Sequence, residues 1–221
     1  LRKVAAAARV GGMLAGKGGV VSVHVGAGER ILQPLYQAVS GTELRVKQFY
    51  PTHMNRNRRV FEAGIEFTKK GGVIDFTTST TAYDLRHGEV AAAAALAEAL
   101  YLGVSPMQLT LSSDGNASLP LYNEDGELQG LQVGQVQSLY QSFREAVVQH
   151  QVPLANALTS VTAAPAAILG LKQKGQISAG LDADVLLIRR EDMHLDTVIA
   201  KGRMLVQRGA ALCRGTFEPE N

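Results

Sequence analysis

The strongest constraint on this chain is a repeated alternation of short β-branched runs with stretches of helical periodicity. Val20-Val21-Ser22-Val23-His24-Val25 predicts a first strand, and Glu29 to Val39 predicts a helix with Ile31, Leu32, Leu35 and Val39 on one side. A second strand is expected from about Leu44 to Tyr50, closing on Pro51-Thr52-His53. A helix from Arg59 to Lys70 is stopped by Gly71-Gly72, and a third strand runs from Val73 to Thr77. An alanine-rich helix precedes the fourth strand, Gln108 to Ser112, which delivers Asp114 into the turn Asp114-Gly115-Asn116. Strands alternating with helices imply βα units and a parallel sheet, an α/β fold whose ligands bind at the C-terminal strand tips.

Beyond Asp114 the pattern changes. Leu121 to Leu131 contains Asn123-Glu124-Asp125-Gly126, a hairpin turn signal, and helices are expected around Val133 to His150 and Leu154 to Leu169. From Gly180 the short strands Asp184 to Ile188, Thr197 to Lys201 and Met204 to Gln207 predict a small β domain. The expected division is residues 1–172 and 173–221.

Composition excludes several functional classes. A formal net charge of +2 with 19% charged residues offers no basic block for nucleic acid. The longest alanine-rich stretch, Ala91 to Ala95, is short and flanked by Glu89 and Glu98, so no membrane span is expected. Cys213 is the single cysteine and cannot form an internal disulfide, which fits a reducing cytoplasm. Leu1 to Arg9 reads as a helix already under way, as though the chain were cut at its N-terminus.

His24 and His53 share a context that His87, His150 and His194 lack: each terminates a predicted strand and precedes a loop. They stand 29 positions apart, about one βα repeat, and Asp114 follows 61 positions later, about two. The three side chains could therefore meet on one rim as ligands of a divalent ion, for which imidazole and carboxylate are the usual donors. Spacing alone equally allows polar loop residues satisfied by neighbouring backbone. Three other motifs fail on context. Gly26-Ala27-Gly28 lacks the third glycine of a dinucleotide fingerprint, leaving a nucleotide-binding module only weakly supported. Gly11 to Lys17 lacks the serine or threonine of a phosphate loop, and Leu119-Pro120 occupy positions where a calcium loop needs a sharp turn.

Val23-His24-Val25-Gly26, Pro51-Thr52-His53-Met54-Asn55-Arg56-Asn57 and Leu111-Ser112-Ser113-Asp114-Gly115-Asn116-Ala117-Ser118 resemble successive strand-end signatures of isoaspartyl (β-aspartyl) dipeptidases. Arg9-Val10-Gly11-Gly12, Lys70-Gly71-Gly72-Val73-Ile74-Asp75-Phe76-Thr77 and Arg214-Gly215-Thr216-Phe217-Glu218 support the resemblance, which covers essentially the whole chain. Lys174-Gly175-Gln176-Ile177 and Gly180-Leu181-Asp182-Ala183-Asp184 are similar to a segment found across amidohydrolases generally.

This resemblance implies the C-terminal half, about strands 5–8, of an amidohydrolase (β/α)8 barrel plus part of a small β domain. It implies two divalent metal ions, usually zinc, bridged by a hydroxide and a carbamylated lysine. His24 and His53 would ligate one ion, and Asp114 would ligate the other and act as general base and then acid. Arg56 would hold a substrate carboxylate and Ser118 would help position the substrate, a small β-aspartyl peptide. A homo-oligomer is expected of such a protein. The His-x-His pair and the lysine that the pattern needs are absent from this sequence, so they are expected in a missing N-terminal half. The alternatives are a cyclic-amide hydrolase or N-deacetylase of the same superfamily, or a non-catalytic fragment. A half barrel leaves open sheet edges with unpaired backbone groups. Residues 1–221 expressed alone should therefore not form a soluble, cooperatively melting monomer, and a single sharp thermal transition at monomer mass would contradict this.

Overall fold

A computed structural model describes residues 1–123, 125–213 and 215, and the chain divides into two compact units, Leu1–Leu171 and Lys172–Asn221. In the first unit β1 (Val21–His24) pairs in parallel with β2 (Phe49–Thr52), placing Val23 opposite Pro51. β3 (Ile74–Thr77) pairs in parallel with β4 (Leu109–Ser112), placing Asp75 opposite Thr110 and Thr77 opposite Ser112. The two pairs meet where the Met54 amide donates to the Asp75 carbonyl at 3.0 Å.

The helices α1 (Arg2–Ala15), α2 (Gln33–Val39), α3 (Arg58–Lys69), α4 (Ala82–Arg86) and α5 (Ala92–Tyr101) fall before and between these strands. Asn57 caps α3 by accepting from the Val60 amide, and the helix buries Val60, Phe61, Gly64, Ile65 and Phe67. Phe61 stacks on Phe76 of β3, with ring centroids 5.9 Å apart. Gly64 packs closely on the strands: a Cβ there would lie 3.2 Å from Met54 Cε and 3.3 Å from Ile74 Cδ1, a tight contact that those side chains would have to yield to. On α5, Ala92, Ala93, Ala95, Leu96 and Ala99 are buried, so small side chains bring this helix close to its neighbours.

Sequence alternation within the strands sorts their two faces. Phe49, Ile74, Phe76, Leu109 and Leu111 are buried apolar residues on one parity, while Tyr50, Thr52, Asp75, Thr77, Thr110 and Ser112 occupy the other. The second face is polar yet largely buried, and its members bond to one another. Asn55, just past β2, is a further polar side chain that is fully buried. Its Oδ1 accepts from the Thr77 amide at 2.8 Å, and its Nδ2 donates to the carbonyls of Thr77 and Val90 at 3.0 and 2.8 Å.

Several boundaries differ from the sequence expectations. The second strand is shifted to Phe49–Thr52, because Arg45 and Lys47 are exposed and Val46–Gln48 form a single helical turn. α2 begins only at Gln33, where Pro34 sets the first turn, and residues 29–32 are turns. α4, which the alanine pattern did not suggest, is started by a capping box between Thr81 and Asp84. Val133 belongs to a hairpin, β5 (Ser118–Tyr122) with β6 (Leu128–Val133), rather than to a helix. The hairpin base closes through Asn116 N–H to Gly134 O and Gly134 N–H to Ala117 O, so α6 starts later, at Ser138–Val148. Of the expected turn tetrad, Glu124 lies outside the described residues. The predicted helix from Leu154 to Leu169 is split into α7 (Leu154–Val161) and α8 (Ala163–Leu169), since Pro165 has no N–H to give the Val161 carbonyl.

The second unit is a four-stranded antiparallel sheet in the order β10-β9-β8-β7, built from β7 (Val185–Ile188), β8 (Leu195–Ala200), β9 (Arg203–Gln207) and β10 (Ala210–Ala211). Lys174 bridges Asp182 and Asp184 beside it. Of the segment Arg214 to Glu218, all but Gly215 lies outside the described residues. Among the described residues, no helix is long and apolar enough to cross a membrane.

Asn55→Ala should lower stability by about 2–4 kcal/mol, because it strips partners from a buried amide and buried carbonyls at once. Urea denaturation measures this, and a loss below about 0.5 kcal/mol would mean that Asn55 does not hold the ends of β2 and β3.

Candidate metal and substrate site

The chain turns sharply where two of the strands end. His53 has φ 63 and Asp114 has φ 48, both in the left-handed region that side chains with a Cβ rarely enter. Such a conformation costs about 1–2 kcal/mol per residue, and histidine and aspartate are among the residue types that tolerate it best. In each case the turn carries the side chain away from its strand and toward a common cleft of about 220 Å³. His53, Arg56, Thr77, Asp114 and Ser118 all line that cleft.

His24, the last residue of β1, is exposed and meets His53 from the neighbouring strand. Its Nδ1 lies 2.8 Å from His53 Nε2, with the two rings nearly edge to face at 65°. The other His53 nitrogen, Nδ1, contacts the Thr77 hydroxyl. A proton on Nδ1, shared with Thr77, leaves the Nε2 lone pair pointing at His24, the arrangement that presents an imidazole to a metal. His53 is 7% exposed, and its pKa is pushed down to about 4. Burial is the main cause and the Arg56 charge adds to it, while the Asp114 carboxylate pulls the other way. The ring is thus neutral near pH 7, as ligation requires.

Asp114 occupies the same cleft but does not join the histidine pair. Among the described residues, no group of three or more His, Cys, Asp or Glu converges on one point. The structure therefore brings His24 and His53 together as two nitrogen ligands and places Asp114 in the cleft with His53, close enough for its charge to act on that imidazole. This donor set fits part of a divalent-metal site, with imidazole nitrogens and a carboxylate as the chemistry demands.

Arg56 is distinct from the basic residues beside it in sequence. Its Nε donates to the Val25 carbonyl at 3.1 Å, which holds the guanidinium at the cleft wall. Arg58 instead forms a two-pronged pair with Glu98, at 2.7 and 2.6 Å, and Arg59 reaches the Gly28 carbonyl. Ser118 opens β5 and also lines the cleft. Glu89 also faces the cleft. Burial raises its pKa, and the Thr80 hydroxyl bonds to it at 2.7 Å.

The other histidines stay outside this group. His87 caps the C-terminus of α4 and bonds through Nδ1 to the Tyr83 carbonyl, His150 is exposed 3.8 Å from Glu145, and His194 precedes β8. Tyr83 stacks on both His87 and Tyr122, at 3.9 and 4.9 Å between centroids, which ties the hairpin to α4. Attention to histidine and aspartate at strand ends overlooked Thr77, Asp75 and Glu89. The signal available for the first two was parity: Asp75 and Thr77 alternate with Ile74 and Phe76 in an otherwise apolar strand.

Residues 42–205 match the model of the amidohydrolase family. The chain belongs to the amidohydrolase family. Within it, the chain is 36% identical to a β-aspartyl dipeptidase from thermophilic keratin-degrading Fervidobacterium islandicum AW-1, solved in complex with β-Asp-Leu dipeptide, with a TM-score of 0.83. A second structure of β-aspartyl dipeptidase from that organism gives 34% identity and a TM-score of 0.80. These alignments cover 98% of this chain but 55% and 53% of the dipeptidase chains, so this amidohydrolase chain spans about half the length of those relatives. A D-hydantoinase at 19% identity and TM-score 0.54 shares the fold alone. The mixed α/β architecture expected from the sequence is accordingly that of a partial amidohydrolase barrel with a small β sheet.

His53 also links pH to stability. The unfolded imidazole takes up a proton near pH 6.5, whereas the folded one resists until about pH 4. Its contribution is present above pH 6.5 and is lost as pH falls toward 4. In metal-free protein, His53→Gln should flatten the fall in urea midpoint between pH 7 and 4.5, and an unchanged slope would show that this imidazole is not buried neutral.

Proposed function

We propose that the protein to which this chain belongs hydrolyses β-aspartyl (isoaspartyl) dipeptides, with two divalent metal ions, zinc being the expected choice. The observation that carries this reading is the convergence of His53, Arg56, Asp114 and Ser118 on one cleft in a chain 36% identical to a dipeptidase solved with β-Asp-Leu. His24 Nδ1 and His53 Nε2 would hold one ion and Asp114 the other. The ions, when bound, supply electrophilic polarisation of the scissile amide carbonyl and lower the pKa of the attacking water.

The remaining chemistry falls to the chain's own side chains. The Asp114 carboxylate accepts the proton of the attacking water and returns it to the leaving amine, so one group serves as base and then acid. Arg56 presents its guanidinium fork to a carboxylate of the peptide, which a planar bidentate donor recognises better than a point charge does. Ser118, which lines the same cleft, orients the same substrate. Its hairpin bounds the cleft with Leu119 and Pro120. The remaining ligands, including a carbamylated lysine, would come from the other half of the barrel. α1 leaves Val4, Val10, Met13 and Leu14 more than half exposed, an apolar face of the kind that another segment covers. A symmetric homo-oligomer is part of the same proposal.

The complete protein should cleave β-Asp-Leu and leave α-Asp-Leu intact. Asp114→Asn should cut kcat by about 10²–10⁴ while the melting temperature stays within a few degrees. Arg56→Lys should act mainly on KM, raising it about tenfold through loss of the bidentate bond. Full activity of Asp114→Asn, or equal cleavage of the two peptides, would overturn the assignment. A purified protein inactive on β-Asp-Leu after zinc supplementation would favour a non-catalytic subunit.

A further inference from the structure

The most buried ionisable group on the polar strand face is Asp75, 2% exposed in the middle of β3. It contributes nothing to the cleft and has no role in the chemistry above. Hydroxyls from both flanking strands nevertheless converge on it. Thr52 of β2 donates to Oδ2 at 2.6 Å, Ser112 of β4 donates to the same oxygen, and Thr110 of β4 donates to Oδ1 at 2.6 Å. Tyr50 of β2 contacts Thr110 at 2.5 Å and lies 3.5 Å from Oδ1. The Asp75 backbone carbonyl accepts from the Met54 amide.

These partners are placed along the chain in a telling way. Thr52 immediately precedes His53, and Ser112 stands two residues before Asp114. A single carboxylate oxygen thus ties the last residue of β2 to the last residue of β4, at the points where the chain turns left-handed to present the two side chains. The Met54 bond fixes the residue on the far side of His53 to the same aspartate. Thr77, two residues on in β3, contacts His53 Nδ1 directly. We infer that Asp75 is a positioning residue for the proposed metal site, setting the separation of His53 and Asp114 by clamping β2 and β4 to β3 through their hydroxyls.

A carboxylate suits this task for a chemical reason. Its two oxygens offer about four lone-pair sites and no donor, so it can accept from both neighbouring strands at once. An asparagine of the same shape keeps one accepting oxygen and replaces the other with a donor that confronts a hydroxyl hydrogen. Isosteric substitution therefore changes the bonding while changing volume very little. Groups that orient the ligands of a metal typically contribute 10–100-fold to metal affinity or activity.

The inference rests on the proposed hydrolase reading, and the experiment separates the two. Asp75→Asn in the complete protein should lower kcat on β-Asp-Leu by about 10–100-fold and speed loss of zinc to a chelator, with KM within about threefold of wild type. Leu96→Ala, in the buried face of α5, is the control for destabilisation alone: it should lower the melting temperature and leave kcat and zinc retention unchanged. Should Asp75→Asn fail to fold, Thr52→Val and Ser112→Ala each remove one donor to Oδ2 and should lower kcat and zinc retention in the same direction. An Asp75→Asn protein with wild-type kcat and zinc retention overturns the inference, as do wild-type values for both hydroxyl variants or an equal kcat loss in Leu96→Ala. A wild-type protein that neither holds zinc nor cleaves β-Asp-Leu overturns the hydrolase reading itself, and the inference with it.

Discussion

The buried carboxylate of Asp75 and the hydroxyls around it are the constraint on which the rest of the first unit depends. Parallel strands buried on both faces ordinarily read as continuous apolar runs, because any polar side chain inside must find a partner. Here one face of β2, β3 and β4 is polar, and Tyr50, Thr52, Thr110 and Ser112 satisfy Asp75 and one another. Among the described residues, no buried side-chain nitrogen or oxygen lacks a hydrogen-bond partner. Burial drives the Asp75 carboxyl upward in pKa, and the hydroxyl donors act against that shift by stabilising the ion. Tyr50 is raised as well, first by its own burial and then by the charge of Asp75. A network with every member satisfied makes a rigid core, and removing one member leaves another stranded in low dielectric.

That rigidity explains how strained turns persist at the strand tips. Left-handed backbone at His53 and Asp114 is held only if the surroundings over-determine it. Around His53 they do: the Met54 amide is fixed to Asp75, Asn55 is bonded to Thr77 and Val90, and Nδ1 meets Thr77. Around Asp114 the hairpin base performs the same service. A Cβ at Gly134 would fall 2.6 Å from the Asp114 carbonyl, so only glycine lets the hairpin close that tightly over the turn. The hairpin, whose Ser118, Leu119 and Pro120 line the cleft, is held to α4 by the stack of Tyr83 on Tyr122.

The electrostatics of the cleft follow from the same packing. His53 is surrounded by buried backbone and lies close to the Arg56 charge, so its neutral form is favoured. Arg56 can face substrate because Val25 O takes its Nε, whereas Arg58, two residues later on α3, is neutralised by Glu98 and Glu62. Three arginines that look like one basic cluster in the sequence thus take different partners: Arg56, which precedes α3, lines the cleft, while Arg58 engages Glu98 and Glu62 and Arg59 reaches the Gly28 carbonyl.

Local pattern determined a great deal about this protein. The βα alternation, the four parallel strands, the antiparallel unit after Gly180 and the strand-end placement of His24, His53 and Asp114 were all legible, because periodicity and turn residues are properties of neighbouring positions. The limits of that legibility were local conflicts. Pro165 broke a helix that apolar spacing would have continued, Arg45 and Lys47 displaced β2, and Val133 went to the hairpin. What only the tertiary structure decided was which polar residues meet. Nothing in the chain near Asp75 announces that Thr52, 23 positions before it, and Ser112, 37 after it, will bond to one of its oxygens. Nor does spacing say that His24 and His53 come within 2.8 Å or that Asp114 shares a cleft with His53. Those distances are set by strand register and by the hydrogen-bonding demands of buried groups, which act across space between residues the sequence keeps far apart.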